Sequence, residues 1–117
     1  MQFGEYLRSL RLSRNLRQAD LASLLEVSTV YICDVEKGRR SPLAPTYLKK
    51  LVSNLHLSHD ETSRFYNLEG NTKNDIPSDI KEYLIGNPEA ITAIRKIIYL
   101  DSPYNWNELF DRKQGSK

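Results

Sequence analysis

Apolar residues recur along most of this chain at intervals of three and four positions, which is the spacing of an amphipathic α-helix. Residues 3–14 carry such a stripe on Phe3, Leu7 and Leu10, and residues 46–55 carry another. No segment shows the strict alternation of apolar and polar residues that a half-buried β-strand requires. The pattern therefore predicts an all-α protein.

Two further helices are predicted between Gln18 and Gly38, and their apolar positions fit a steep crossing. The second helix begins at about Gln18 and the third begins near Ser28. The positions that these helices would bury are Leu21, Ala22, Leu25, Val27, Ile32 and Val35. Ala22 is small enough to let the two helices approach closely where they cross. This spacing is that of a helix-turn-helix, in which the second helix is free to enter the major groove of DNA.

Residue types that favour helix ends set several of the boundaries. The hydroxyl of Ser28 is expected to cap the third helix, and Gly38 is expected to end it in a left-handed conformation. Ser58 begins the fifth helix, with Glu61 three residues later completing a capping box. Gly70 is expected to end this fifth helix.

A boundary between two parts of the chain is predicted after Gly70. Residues 71–77 are polar and include a proline, so they are expected to link a domain of residues 1–70 to a helical segment of residues 78–117. Ser78 is expected to cap a short helix that reaches Leu84. The next helix should begin at Asn87 and Pro88, because Asn favours the cap and Pro the first helical position.

The helix that begins at Pro88 has a broad apolar face. This face requires a partner surface, either on the N-terminal domain or on a second copy of the chain, and self-association is the expectation we favour. The residues assigned to this dimer contact are Ile91, Ile94, Ile97 and Ile98. Trp106, Leu109 and Phe110 indicate a final short helix, followed by a polar tail over residues 111–117.

The basic residues are concentrated in the part of the chain that carries the helix-turn-helix spacing. The net charge of the 117 residues is only +2, but residues 1–56 hold nine Lys or Arg against five Asp or Glu. From residue 57 onward there are eight basic residues against ten acidic ones. A surface that faces the phosphates of a nucleic acid requires this kind of local excess.

Other classes of function find little support. Cys33 is the single cysteine, and the sequence shows neither a membrane-spanning apolar run nor a signal peptide, so we expect a protein of the bacterial cytoplasm or nucleoid. His56 and His59 have no third ligand at a suitable spacing, so no metal site and no cofactor is expected. The five glycines form no phosphate-binding loop, and no enzymatic activity is expected.

Five short segments share the spacing of one known family: Leu7-Arg8-Ser9-Leu10-Arg11, Gln18-Ala19-Asp20-Leu21-Ala22, Val27-Ser28, Tyr31-Ile32 and Glu36-Lys37-Gly38-Arg39-Arg40-Ser41-Pro42. Through them, residues 1 to about 70 resemble the XRE family of phage-repressor and Cro-like helix-turn-helix proteins. The resemblance implies a five-helix, lambda-repressor-like domain that binds double-stranded DNA, followed here by a small helical C-terminal segment.

The resemblance also implies that the start of the third helix lies closest to the bases. Thr29 can hydrogen-bond to several bases, and Val30 can contact a thymine methyl group. Asp34, one turn further along, would accept from a cytosine amino group or act by excluding wrong sites, because an acid repels phosphates. The implied base contacts are Ser28, Thr29, Val30 and Asp34.

Residues around this helix are expected to contact the DNA backbone. Gln18 opens the second helix and would bind a phosphate with help from the positive end of the helix dipole. The other implied backbone contacts are Tyr31, Lys37, Arg39 and Arg40. Arg11 and Glu36 are assigned to structure instead, as an ion pair that ties the first helix to the end of the third.

One position departs from the family pattern. Glu26 lies in the turn where the family most often has glycine, because the backbone there tends toward positive φ. A non-glycine residue in that conformation costs on the order of 1 kcal/mol, which a fold can tolerate.

The expected function is that of a sequence-specific transcriptional repressor of phage or mobile-element type, a homodimer on a palindromic operator. Two alternatives stay open. The first is an antitoxin that regulates its own operon, and the second is a protein-interaction module that has lost DNA binding. A toxin or an antirepressor would then be the protein partner.

Overall fold

Seven helices make up most of the chain that the structure describes. The computed structural model describes residues 1–100 and 105–108. The helices are α1 (Phe3–Ser13), α2 (Gln18–Leu25), α3 (Thr29–Glu36), α4 (Pro45–Asn54), α5 (His59–Lys73), α6 (Ser78–Gly86) and α7 (Pro88–Ile98). No strand occurs within these described ranges, and none of their helices has the length and apolar character needed to cross a membrane. The predicted all-α class is confirmed.

Helices α1 to α5 enclose one apolar core. The rings of Phe3 and Phe65 lie with their centroids 5.1 Å apart, which joins the first turn of α1 to α5. The hydroxyl of Thr72 accepts a hydrogen bond from the backbone N–H of Phe3 at 3.3 Å. The buried apolar residues are Phe3, Tyr6, Leu7, Leu10, Leu21, Ala22, Leu25, Ile32, Val35, Leu43, Leu48, Leu51, Leu55, Phe65 and Tyr66. Burying a large apolar side chain contributes about 1.5–3 kcal/mol, so this cluster is the main source of stability.

The predicted end of α5 at Gly70 is wrong. The helix continues to Lys73 and closes at Asn74, whose φ of 55° is left-handed. Gly70 is buried inside the helix, and a Cβ atom on it would lie 2.7 Å from the backbone nitrogen of Pro77 and 2.8 Å from the carbonyl oxygen of Asp75. Glycine is required here because the chain folds back over the helix, and its role is close approach, not termination.

The expected role of Ser78 as a side-chain cap is also wrong. Its backbone N–H and its hydroxyl donate to the carboxylate of Glu69, at 2.9 and 2.6 Å, and Lys73 donates to the same carboxylate at 2.7 Å. Burial alone would raise the pKa of Glu69, but these hydrogen bonds outweigh it and the pKa lies below its usual value. A fully buried carboxylate from α5 thus compensates the N-terminus of α6.

Residues 71–77 do not form the separate linker that their composition predicts. The first three belong to α5, and the remainder forms the turn held by Glu69. The chain instead divides into two compact units, Met1–Glu82 and the residues from Tyr83 onward. The first unit therefore extends beyond the predicted boundary because the bonds to Ser78 fix the start of α6 against α5.

The second unit carries an apolar helix face. Pro88 is the first residue of α7, as predicted, and no residue of this helix is buried. Ile91, Ile94 and Ile98 are 37, 38 and 70% exposed, and Ile97 is half-buried. Trp106 lies in a helical turn over residues 106–108. The rest of the predicted final helix, Leu109 and Phe110, and the polar tail lie outside the described residues.

The close approach at Gly70 gives a test of the fold. Gly70→Ala should lower the free energy of unfolding by about 1–3 kcal/mol, because the added methyl group meets backbone atoms that cannot move independently. Gly86→Ala is the matched control, since a Cβ there meets nothing within 4 Å. Urea unfolding followed by circular dichroism would measure both, and equal stability of the two variants would contradict the close approach.

A second test uses the ion pair between Arg14, which follows α1, and Glu61 of α5. The Arg14 guanidinium donates two hydrogen bonds to Glu61, at 2.9 and 2.7 Å, and mainly through them lowers the pKa of Glu61 from 4.5 to about 2. Because the folded-state pKa is depressed, this contribution is present above pH 4.5 and is lost as the pH falls toward 2. Both side chains are partly exposed, so screening limits it to about 1 kcal/mol.

Glu61→Gln should therefore be about 1 kcal/mol less stable than the unmodified protein at pH 7, and the difference should vanish near pH 2. Urea unfolding at a series of pH values measures this. Arg14→Gln should flatten the same part of the pH profile, because it removes the main cause of the lowered pKa of Glu61. A profile unchanged in both variants would show that the pair contributes nothing.

Candidate nucleic-acid interface

A short turn sets α2 and α3 against each other. Glu26 adopts the left-handed conformation with φ 59° and ψ 43°, so the expected positive φ at this position is confirmed. The backbone N–H of Val27 then donates to the carbonyl of Ala22 at 2.9 Å. Ala22 is only 4% exposed, as its predicted place at the helix crossing requires.

The start of α3 projects from this crossing. Ser28 caps the helix as predicted, because its hydroxyl oxygen accepts a hydrogen bond from the backbone N–H of Tyr31 at 3.1 Å. The next two residues, Thr29 and Val30, are exposed, and Val30 has 68% of its surface accessible. A capped, rigid helix end therefore presents a hydroxyl and an aliphatic side chain to the outside.

The far end of α3 is anchored to α1 by the expected ion pair. Arg11 donates from Nε and Nη2 to the two carboxylate oxygens of Glu36, at 2.7 and 3.0 Å, and from Nη1 to the carbonyl of Leu16 at 2.8 Å. Both side chains are buried. The hydrogen bond to Glu36 raises the pKa of Arg11 above its usual value. This pair is structural, because its polar atoms are engaged within the domain.

Gln18 joins the same network, which the sequence did not indicate. Its side-chain Nε2 donates to Glu36 at 3.1 Å. The two residues are 18 positions apart on different helices, so no periodicity relates them. An amide group has two donor hydrogens and an acceptor oxygen, so this bond leaves part of its capacity for another contact.

The chain leaves α3 through a left-handed turn. Gly38 has φ 75°, its N–H donates to the carbonyl of Val35 at 3.1 Å, and the N–H of Arg39 donates to the carbonyl of Asp34 at 2.8 Å. These two bonds define a Schellman motif, which brings the side chain after the glycine back to the last full turn of the helix. The end of α3 predicted at Gly38 is thereby confirmed.

This turn assembles a charged cluster at the end of α3. The Asp34 carboxylate lies 3.8 Å from Nη1 of Arg39 and 3.7 Å from Nε of Arg40. The guanidinium of Arg40 also lies over the ring of Tyr31, 5.1 Å from its centroid. Four residues that were assigned separately to DNA contacts thus form one group. Within it, the Asp34 carboxylate is paired with both arginine side chains.

A cleft lies beside the Arg11–Glu36 pair, with Arg8, Gln18, Lys37 and Cys33 among its lining residues. Arg8 is exposed and was not among the predicted DNA contacts. Its position off the apolar stripe of α1 nevertheless indicates a basic side chain that faces solvent. No group of three or more His, Cys, Asp or Glu side chains that could hold a metal ion occurs in the described part of the chain.

Comparison with known proteins agrees with this geometry. The model of a family described as a helix-turn-helix domain matches residues 2–65, which is more than half of the chain. Over 69 residues the chain is 39% identical to the HTH-type transcriptional regulator DdrOP3 of Deinococcus deserti, covering 56% of this chain and 53% of that protein. The chain thus spans about half the length of this curated relative.

The matched residues 2–65 include α1 to α4, the turn at Glu26 and the charged cluster after α3. The match covers every element that contributes to the candidate interface. The chain belongs to the XRE-like helix-turn-helix family.

Proposed function

We propose that this protein is a DNA-binding transcriptional regulator that acts as a dimeric repressor on a palindromic operator. The observation that carries the proposal is the capped start of α3, which exposes Thr29 and Val30 beside a cluster of arginines. Membership of the helix-turn-helix family supports it, as does the similarity to a protein described as a transcriptional regulator.

In this proposal the first turn of α3 lies in the major groove. The Thr29 hydroxyl can donate to or accept from base edges, and Val30 offers an apolar surface for a thymine methyl group. Ser28 is next to them, although its hydroxyl oxygen is already engaged in capping the helix. These side chains stand on a helix whose buried face is fixed by Ile32 and Val35, so the positions of the contacts are defined before DNA binds.

Phosphate contacts would flank this helix on both sides. Gln18 lies at the N-terminus of α2, where backbone N–H groups attract an anion, and its amide keeps a donor beyond the one used by Glu36. Arg39 and Arg40 are 66 and 56% exposed along their side chains, and Lys37 is exposed as well. The guanidinium group of Arg40 packs on the ring of Tyr31.

The dimer would form through α7. Its exposed isoleucines, Ile91, Ile94 and Ile98, are spaced to lie along one side of the helix, with Ile97 beside them. Covering such a face with its counterpart from a second copy would remove apolar surface from water, which is the usual driving force of association. A two-fold dimer would hold two recognition helices about 34 Å apart, one turn of DNA.

The test is to select bound duplexes from a random DNA pool at near-physiological salt. An enriched palindrome with half-sites about one helical turn apart would support a dimeric repressor. Ile94→Lys should enrich single half-sites, because the charge opposes dimerisation through α7, whereas Thr92→Lys on another side of the helix should not. No enrichment by the folded protein would reject DNA recognition and favour a protein partner.

Two variants separate the roles assigned to base and phosphate contacts. Thr29→Ala should cost about 1–3 kcal/mol on the selected duplex and relax the preference at one base pair. Arg40→Ala should weaken binding to all sequences and reduce the slope of log K against log salt by about one unit. Titrations of the selected and a shuffled duplex at several salt concentrations measure both effects, and identical losses for the two variants would contradict the assignment.

A further inference from the structure

An acidic side chain stands in the middle of the proposed DNA-binding surface. Asp34 lies one turn after Val30 on α3, and its carboxylate keeps 23% of its side-chain surface exposed. One carboxylate oxygen faces Arg39 at 3.8 Å and the other faces Arg40 at 3.7 Å. The carboxylate thus faces the two guanidinium groups that the proposed function assigns to phosphate contacts.

The backbone imposes this arrangement. In a Schellman motif the residue after the left-handed glycine returns to the third-last helical residue, and that pair of side chains is usually apolar. Here the two positions are occupied by Arg39 and Asp34. The backbone N–H of Arg39 donates a hydrogen bond to the carbonyl oxygen of Asp34 at 2.8 Å. The backbone therefore holds Arg39 beside Asp34 at the end of α3, and the exposed side chain of Arg40 reaches the same carboxylate from the next position.

We propose that Asp34 is a specificity-determining residue that acts through Arg39 and Arg40, by competing with DNA phosphates for their guanidinium groups. The inference rests on the proposed DNA-binding function. Binding to unrelated DNA depends almost entirely on phosphate contacts, so there a phosphate must displace the carboxylate and lie close to a negative charge. At the operator, the base contacts of Thr29 and Val30 hold the helix in place while the carboxylate keeps its arginines, so the cost is smaller. Asp34 thus suppresses binding to unrelated DNA more than binding to the operator.

A direct base contact would behave differently. If Asp34 accepted a hydrogen bond from a cytosine, its loss would weaken binding to the selected duplex and leave unrelated DNA unaffected. Competition for the arginines predicts the reverse, a gain on unrelated DNA that exceeds any gain on the operator. The two roles therefore differ in the sign of the effect.

The experiment measures binding of full-length Asp34→Asn to the selected duplex and to a shuffled duplex of equal length, at several salt concentrations. Affinity for the shuffled duplex should rise about fivefold near 0.1 M salt, the order of effect of one unit charge at contact distance in water. The ratio of the two affinities should fall. The salt slope on the shuffled duplex should steepen by up to about one unit, because an arginine becomes available to a phosphate.

Asp60→Asn is the matched control, because it makes the same change of net charge at a fully exposed residue in the first turn of α5. It should change neither the ratio nor the slope. In a protein that also carries Arg39→Gln and Arg40→Gln, Asp34→Asn should lose most of its effect on the affinity for the shuffled duplex. A general effect of net charge would persist in that protein.

A gain no larger than that of Asp60→Asn would overturn the proposal, and so would weaker operator binding with unrelated DNA unaffected. If the folded, unmodified protein binds neither duplex, the proposed function itself fails, and the role of Asp34 with it. These results are distinguishable, since the first two require an unmodified protein that binds DNA.

Discussion

The buried ion pair of Arg11 and Glu36 is the constraint on which the proposed recognition surface depends. Helix α3 has eight residues, and a helix of that length is not stable in water by itself. Its apolar side chains hold one face to the core, and the bidentate bond from Arg11 fixes its last turn to α1. Removing one partner of such a pair typically costs about 3–5 kcal/mol, because the other charge stays buried without compensation.

The same carboxylate also reaches the other helix of the motif. Through the bond from Gln18, Glu36 connects the beginning of α2 to the end of α3. Three helices thus share one acidic group, and its hydrogen bonds join all three of them. The first turn of α3 can expose Val30 and Thr29, because the last turn of the helix is bonded to α1 through Glu36.

A second buried carboxylate, that of Glu69, connects α5 to the start of α6. Glu69 is inaccessible to water and is satisfied by Lys73 and by two bonds from Ser78. In both places the cost of burying a charge is offset by several directed hydrogen bonds that connect one helix to the next. The surface acid Asp34 differs, since its long contacts with arginines are open to solvent and can be exchanged.

Within residues 1–100, local features of the sequence determined which segments are helical, the cap at Ser28 and the left-handed Gly38, while the left-handed conformation of Glu26 was expected from the family resemblance. The helical segments, the cap and the glycine depend on side chains within a few positions of one another, which periodicity and capping preferences describe. Only the tertiary structure decided that Gly70 lies inside α5 and that Ser78 bonds to Glu69. The reason is physical: a glycine can end a helix or admit another segment of chain, and only the path of that segment distinguishes the two.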